Sequence, residues 1–110
     1  MKNLEMSYLM DFYGNLLSDK QREIMQMYYQ EDLSLAEIAA EYNITRQGVR
    51  DNIVRAEKEL VRFEGSLGLF KRFSRITGNL EKIRSLVEAD LQNPVSRDII
   101  KLIDNVENDI

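Results

Sequence analysis

The sequence predicts an all-α protein: a four-helix unit carrying a helix-turn-helix at about residues 34–62, followed by two further amphipathic helices. Three observations point there. Apolar residues recur at steps of three and four along nearly the whole chain, and no segment alternates apolar and polar with the period of a half-buried strand. Breakers are few, with one proline and five glycines in 110 residues. Ser, Thr or Asn also stands ahead of successive apolar runs, where a helix N-cap belongs.

The spacing predicts a first helix over about Asn3–Tyr13, with Leu4, Tyr8, Leu9 and Phe12 on one face and Gly14-Asn15 ending it. Ser18 and Gln21 have the spacing of a capping box, which opens a second helix that turns Ile24, Met27 and Tyr28 inward and stops near Glu31-Asp32. Ser34 with Glu37 repeats the signature and starts a short third helix with Leu35, Ile38 and Ala39. Asn43 is placed to end it in the left-handed conformation, and Thr45 follows as the N-cap of a fourth. On that fourth helix Val49, Ile53, Ala56, Leu60 and Phe63 form one stripe, with Gln47, Asp51, Val54 and Lys58 opposite and Arg50 and Arg55 on the flanks. A fifth helix is expected from near Ser66, holding Leu69, Phe70, Phe73, Ile76, Leu80, Ile83 and Val87 in register. The apolar phase passes Thr77-Gly78-Asn79 unshifted, which favours one long helix over two, although mid-helix glycine costs roughly 1 kcal/mol against alanine. Asn93-Pro94 has the favoured order of N-cap then first helical residue, and opens a sixth helix through Ile99, Leu102, Ile103 and Val106.

A chain of this length fits one domain, with the helix-turn-helix core at about 18–64 and a helical extension at about 66–108. It has no cysteine and no histidine, so it lacks thiolate ligands, disulfides, the commonest metal ligand and the commonest general base. With no nucleophile–base or metal constellation, the expectation is a non-enzyme needing no cofactor, metal or small molecule. The N-terminus lacks the pattern of a signal peptide and no run approaches the roughly 18 apolar residues of a membrane span, so a cytoplasmic protein is expected.

Net charge is −4, but it is unevenly spread. Residues 1–44 balance at −5, residues 45–84 at +5 and residues 85–110 at −4. A basic centre between acidic ends is either a nucleic-acid face or a surface that the ends themselves bind.

The segment from Ser34 to Leu60 carries the functional argument. Small Ala39 and Ala40 allow close approach of the next helix, Ile44 fills the corner, and Thr45 caps a helix with basic residues in its first turns. Arg46, Gln47 and Arg50 fall where the helix dipole and free amides favour phosphate and where side chains reach base edges in the major groove. Arginine pairs with guanine, glutamine with adenine, and Val54 has the character to meet a thymine methyl. The candidate set reading duplex DNA is Ser34, Thr45, Arg46, Gln47, Arg50, Asp51, Val54 and Arg55, with Lys58, Lys71, Arg72 and Arg75 as further phosphate contacts. Each has a plainer reading. The first three long polar side chains also suit a solvated helix start, and Asp51 repels phosphate. Arg55, Lys58 and Arg62 alternate with Glu57, Glu59 and Glu64 as an intrahelical salt-bridge face would. Lys71, Arg72 and Arg75 would equally receive an acidic helix, and the aromatics Tyr8, Phe12, Tyr13, Tyr28, Tyr29, Phe70 and Phe73 suit a core better than a stacking platform. Leu67, Leu69, Phe70, Phe73 and Ile76 crowd ten residues with apolar surface, which suggests a homodimer through the fifth helix.

Residues 18–60 resemble the DNA-binding region 4 of bacterial sigma factors. The likeness lies in Leu17-Ser18, in Ser34-Leu35-Ala36-Glu37-Ile38-Ala39, in Ile44-Thr45-Arg46 with Val49-Arg50, and in Arg55-Ala56. It implies promoter-base contacts for Arg46, Gln47 and Arg50. Gly48, where that family often has arginine, and Asp51 depart from the pattern. The stretches YLMDFYGNLLSDKQREIMQMYY and YNITRQGVRDNIVRAEKEL, with the helical tail, are similar to the YlxM family of small sigma-region-4-like proteins of Gram-positive bacteria. Genes of that family usually neighbour those of the signal recognition particle GTPases. The resemblance therefore implies either a DNA-binding regulator linked to that pathway, or a module that binds a signal recognition particle protein, its receptor or its RNA without touching DNA.

Overall fold

A computed structural model describes residues 4–110, and Asn3, the expected start of the first helix, lies outside the described residues. Helix α1 spans Leu4–Tyr13 and runs into a 3-10 turn at Gly14–Leu16; α2 is Asp19–Tyr29, α3 Leu35–Tyr42, α4 Arg46–Leu67, α5 Leu69–Glu88 and α6 Pro94–Asp109. No strand occurs among the described residues. The chain forms two compact units, one ending at Phe70 and the other running from Lys71 to Ile110.

The helix boundaries of the first unit follow from local chemistry. Ser18 accepts the Gln21 amide at 3.2 Å while Gln21 Oε1 accepts the Ser18 amide at 3.3 Å, and Ser34 and Glu37 do the same at 3.1 Å each way. Both boxes satisfy amides that no intrahelical carbonyl can reach. Asn43 ends α3 with φ of 53°, and its Asn side chain lowers the strain of that left-handed backbone. Thr45 then accepts the Gly48 amide at 2.9 Å and starts α4.

The core of this unit is built around α4. Val49, Ile53, Ala56 and Leu60 are all buried on the expected stripe, against Ile24 and Met25 of α2, Ile38 and Ala39 of α3, and Leu9, Met10 and Tyr13 of α1. Phe63 and Ile44 pack at its margin, while Ala40 is exposed, so Ala39 is the small residue at the helix crossing.

Three details depart from the sequence expectation. In α1 the face is rotated: Leu4 is 74% exposed and Tyr8 51%, while Met10 and Tyr13 are buried beside Leu9. Apolar residues lie around more than one side of this short helix, and packing on α4 chose among them. In α2, Met25, which the periodicity left out, joins Ile24 in the core, with Met27 and Tyr28 half-buried against it. Helix α4 continues through Gly65 and Ser66 and stops at Gly68, whose φ of 62° turns the chain and brings its amide to Glu64 O at 2.8 Å. Helix α5 therefore begins at Leu69, later than expected from Ser66.

Three tyrosine hydroxyls lock this unit across its helices. Tyr13 donates to Glu64 at 2.6 Å, Tyr29 to Glu57 at 2.5 Å and Tyr42 to Glu23 at 2.5 Å, joining α1 to α4, α2 to α4 and α3 to α2. These are charge-assisted bonds, about twice as strong as neutral ones. Phe12 and Tyr8 close the margin on Phe70, with ring centroids 6.0 and 5.4 Å away.

In the second unit α5 passes Thr77-Gly78-Asn79 without a break, as the unshifted apolar phase predicts. Asn93 caps α6 through its Oδ1, which accepts the Val95 amide at 3.0 Å, and Pro94 is the first helical residue. Arg84 of α5 donates to Asp104 at 2.6 Å and Glu107 at 3.2 Å, tying the two helices together.

A candidate nucleic-acid interface at the start of helix α4

The turn Asn43-Ile44-Thr45 sets the direction in which α4 leaves α3. Its close approach has a steric basis: a Cβ on Gly48 would stand 3.2 Å from Thr45 Oγ1 and 3.7 Å from Ile44 Cδ1. Glycine at this position leaves the capping hydroxyl and the corner isoleucine room to close on the first turn.

The core stripe of α4 fixes what the opposite face presents. At 100° per residue, Gln47, Asp51, Val54 and Lys58 fall on the side away from Val49, Ile53, Ala56 and Leu60, with Arg46 and Arg50 on one flank and Arg55 on the other. Arg46, Gln47, Arg50, Asp51, Arg55 and Lys58 are exposed, and Val54 is half-buried among them. Among the described residues, no ion pair engages Arg46, Arg50, Arg55 or Lys58. Of the expected alternation of Arg55, Lys58 and Arg62 with glutamates, Arg62 pairs with Glu59 at 2.7 Å, while Glu57 and Glu64 each accept a tyrosine hydroxyl. Arg50, Asp51, Val54 and Arg55 line a shallow concavity open to solvent.

Two of the expected site residues are occupied with structure. The Ser34 and Thr45 hydroxyls each accept a backbone amide as helix caps. Thr45 stands next to Arg46 at the start of the exposed face, whereas Ser34 caps the far end of α3. The structure also pairs two reading-face residues with each other, since Gln47 Nε2 donates to Asp51 Oδ1 at 2.9 Å. Their i, i+4 spacing is the signal from which that bond could have been foreseen. Asn52, absent from the sequence expectation, donates from Nδ2 to the Gly48 carbonyl at 2.9 Å and braces the first turn from its own helix.

Lys71, Arg72 and Arg75 are exposed on α5 within the second unit. Of the residues expected at a dimer contact, Phe70 packs in the first unit against Tyr8 and Phe12, while Phe73 and Ile76 belong to the second. Tyr42, which closes α3 onto α2, has its phenol pushed up to about 12, by burial first and by the Glu23 carboxylate second. Among the described residues no group of three or more carboxylate, thiol or imidazole side chains could hold a metal ion, and no helix is long and apolar enough to cross a membrane.

A family model described as "Putative helix-turn-helix protein, YlxM / p13 like" matches residues 1–105. The chain belongs to this family. It is 46% identical over 107 residues to a UPF0122 protein of Thermoanaerobacter sp. (strain X514), covering 97% of this chain and 92% of that one. It is 42% identical over 106 residues to a UPF0122 protein of Bacillus pumilus (strain SAFR-032), with 96% of each chain covered. A UPF0122 protein of Halalkalibacterium halodurans is 38% identical over 106 residues, covering 96% of this chain and 97% of that one. The matched sequence spans both the helix-turn-helix and most of the α5–α6 extension.

Proposed function

We propose that this YlxM-like protein is a DNA-binding regulator that inserts the N-terminal turns of α4 into the major groove of duplex DNA. The observation that carries the reading is the pair Arg46 and Arg50: one turn apart, exposed, and held by no ion pair among the described residues. On this reading Arg46, Gln47 and Arg50 meet base edges, Arg55 a phosphate and Val54 a thymine methyl, and the Thr45 cap leaves further first-turn amides for the DNA backbone. Lys58, and separately Lys71, Arg72 and Arg75, supply additional phosphate contacts. The role is binding rather than catalysis, it uses no cofactor, and it takes place in the cytoplasm.

The test is fluorescence-anisotropy binding to a mixed pool of duplex DNA across a salt series, comparing wild type with the double variant Arg46→Ala, Arg50→Ala. Binding with a clear salt slope, weakened by about 2 kcal/mol or more in the variant, supports the reading. Absence of DNA binding by wild type at low salt overturns it.

One observation favours a second reading. The Gln47–Asp51 bond holds the adenine-reading amide on a carboxylate that repels phosphate. In that case the same exposed face docks on a component of the signal recognition particle machinery, its GTPases or its RNA, and a pull-down with those components replaces the DNA titration as the positive result.

A further inference from the structure

The second unit is a two-helix hairpin of forty residues, 71–110, in which Ile103 and Ser96 are the buried side chains. A core this small rarely sustains a fold alone, and units of this size ordinarily gain stability from oligomerisation, disulfides or metals. The chain has no cysteine, and no metal cluster exists among the described residues.

The two sides of the hairpin differ. Arg84, Asp104, Glu107 and Glu88 make one side polar and ion-paired. The helical phase turns the other side apolar on both helices: Ile76 and Ile83 on α5, and Val95, Ile99, Leu102 and Val106 on α6. Leu102 is 63% exposed, Val95 59%, and Ile83 and Val106 42% each. On α6 the spacing 95, 99, 102, 106 is the 4–3–4 repeat of a helix-packing seam. The apolar strip is bordered by Arg72 and Arg75 on α5 and by Asp98 and Asp109 on α6. A surface with a basic edge and an acidic edge is complementary to its own copy about a two-fold axis parallel to the helices, because that rotation sets each edge against the opposite charge.

We propose that this face binds the same face of a second copy, forming an intermolecular four-helix bundle from two α5–α6 hairpins. The dimensions are adequate: sixteen residues of α6 extend about 24 Å and two adjacent helices span about 20 Å. That gives a footprint on the order of 500 Å² per copy, and accessible area exceeds footprint, which approaches the roughly 800 Å² per partner of a standard stable interface. The pairing is independent of whether α4 reads DNA, but it places Arg72 and Arg75 at the dimer edge instead of on phosphate.

The experiment is sedimentation equilibrium of the full chain from micromolar to about 100 µM, with circular dichroism on each sample. Wild type is expected at twice its 12.9 kDa mass at the upper concentrations. Leu102→Glu together with Ile83→Glu is expected to weaken association at least ~30-fold, as loss of central apolar anchors does, whereas Leu16→Glu, which alters an exposed leucine of the first unit, leaves it unchanged. Leu102→Cys provides a milder probe in a chain with no other thiol: its maleimide reactivity is expected to fall as protein concentration rises. A wild-type monomer at 100 µM, a dimer indifferent to both glutamates, or thiol reactivity independent of concentration would overturn the proposal.

Discussion

The Tyr13 hydroxyl donates to Glu64 Oε1 at 2.6 Å and accepts the Leu69 amide at 3.0 Å, so one fully buried side chain of α1 fixes the place where α4 ends and α5 begins. Glu64 Oε1 also accepts the Phe70 amide at 3.0 Å. The first two amides of α5 are thus capped by side chains from other helices rather than by a local Ser or Asp. Gly68 supplies the left-handed turn that brings those amides to them.

Removing this link has a definite cost. Tyr13→Phe keeps the ring and its packing but leaves the Leu69 amide without its acceptor and takes one donor from Glu64. Urea denaturation is expected to show a loss of about 1–3 kcal/mol, the penalty for an unmade buried hydrogen bond. A loss below a few tenths would mean that water replaces the hydroxyl.

Alkaline pH acts on the same bonds. The Tyr13, Tyr29 and Tyr42 phenols are all raised above the ordinary value near 10, chiefly by burial and next by Glu64, Glu57 and Glu23 respectively, with Tyr42 at about 12. The unfolded chain therefore releases these protons first, so their stabilising contribution is complete below pH ~10 and falls as pH rises through the folded-state values. The urea midpoint is expected to decline from pH 10 towards 12, and to decline less in the triple Tyr→Phe variant. Parallel pH profiles would contradict the assignment.

The helix-turn-helix boundary is open to direct tests. Thr45→Ala removes the α4 cap and is expected to cost about 1 kcal/mol. Asn43→Ala places a Cβ without a compensating polar group at φ of 53° and is expected to cost about 1–2 kcal/mol. Thermal melts measure both, and the variants are expected to retain wild-type helicity before the transition.

On the α4 face, Asp51→Asn removes a negative charge and weakens the hold on Gln47, because a neutral Oδ1 replaces a charged one as its acceptor. If the first turns of α4 read DNA, affinity is expected to rise roughly fivefold to tenfold, about 1–1.4 kcal/mol, in the anisotropy titration. Unchanged or weaker DNA binding would show that Asp51 contributes to the interface rather than opposing it.

Leu60 is fully buried beneath α1 and α2, and Leu60→Ala is expected to cost about 2–5 kcal/mol in urea denaturation. A cost under 1 kcal/mol would require the surrounding helices to collapse onto the vacancy.

By itself the sequence determined where most helices start. Caps at Ser18, Ser34, Thr45 and Asn93 and the left-handed stop at Asn43 act within three or four residues, so local residue identity suffices. It also determined the buried stripe of α4, and through it the exposed arc of Arg46, Gln47, Arg50, Asp51, Val54 and Lys58, because a strongly amphipathic helix has one orientation in which that stripe is covered. Tertiary structure decided the rest. The rotation of α1, apolar on several sides, was settled by which side met α4. The choice between Gly65-Ser66 and Gly68 as the end of α4 came with the Tyr13–Glu64 cap that awaits α5. The three tyrosine–glutamate bonds join residues 51, 28 and 19 positions apart. No local periodicity encodes such distances; they exist because packing the helices brings each hydroxyl to a carboxylate that sequence alone leaves at the surface.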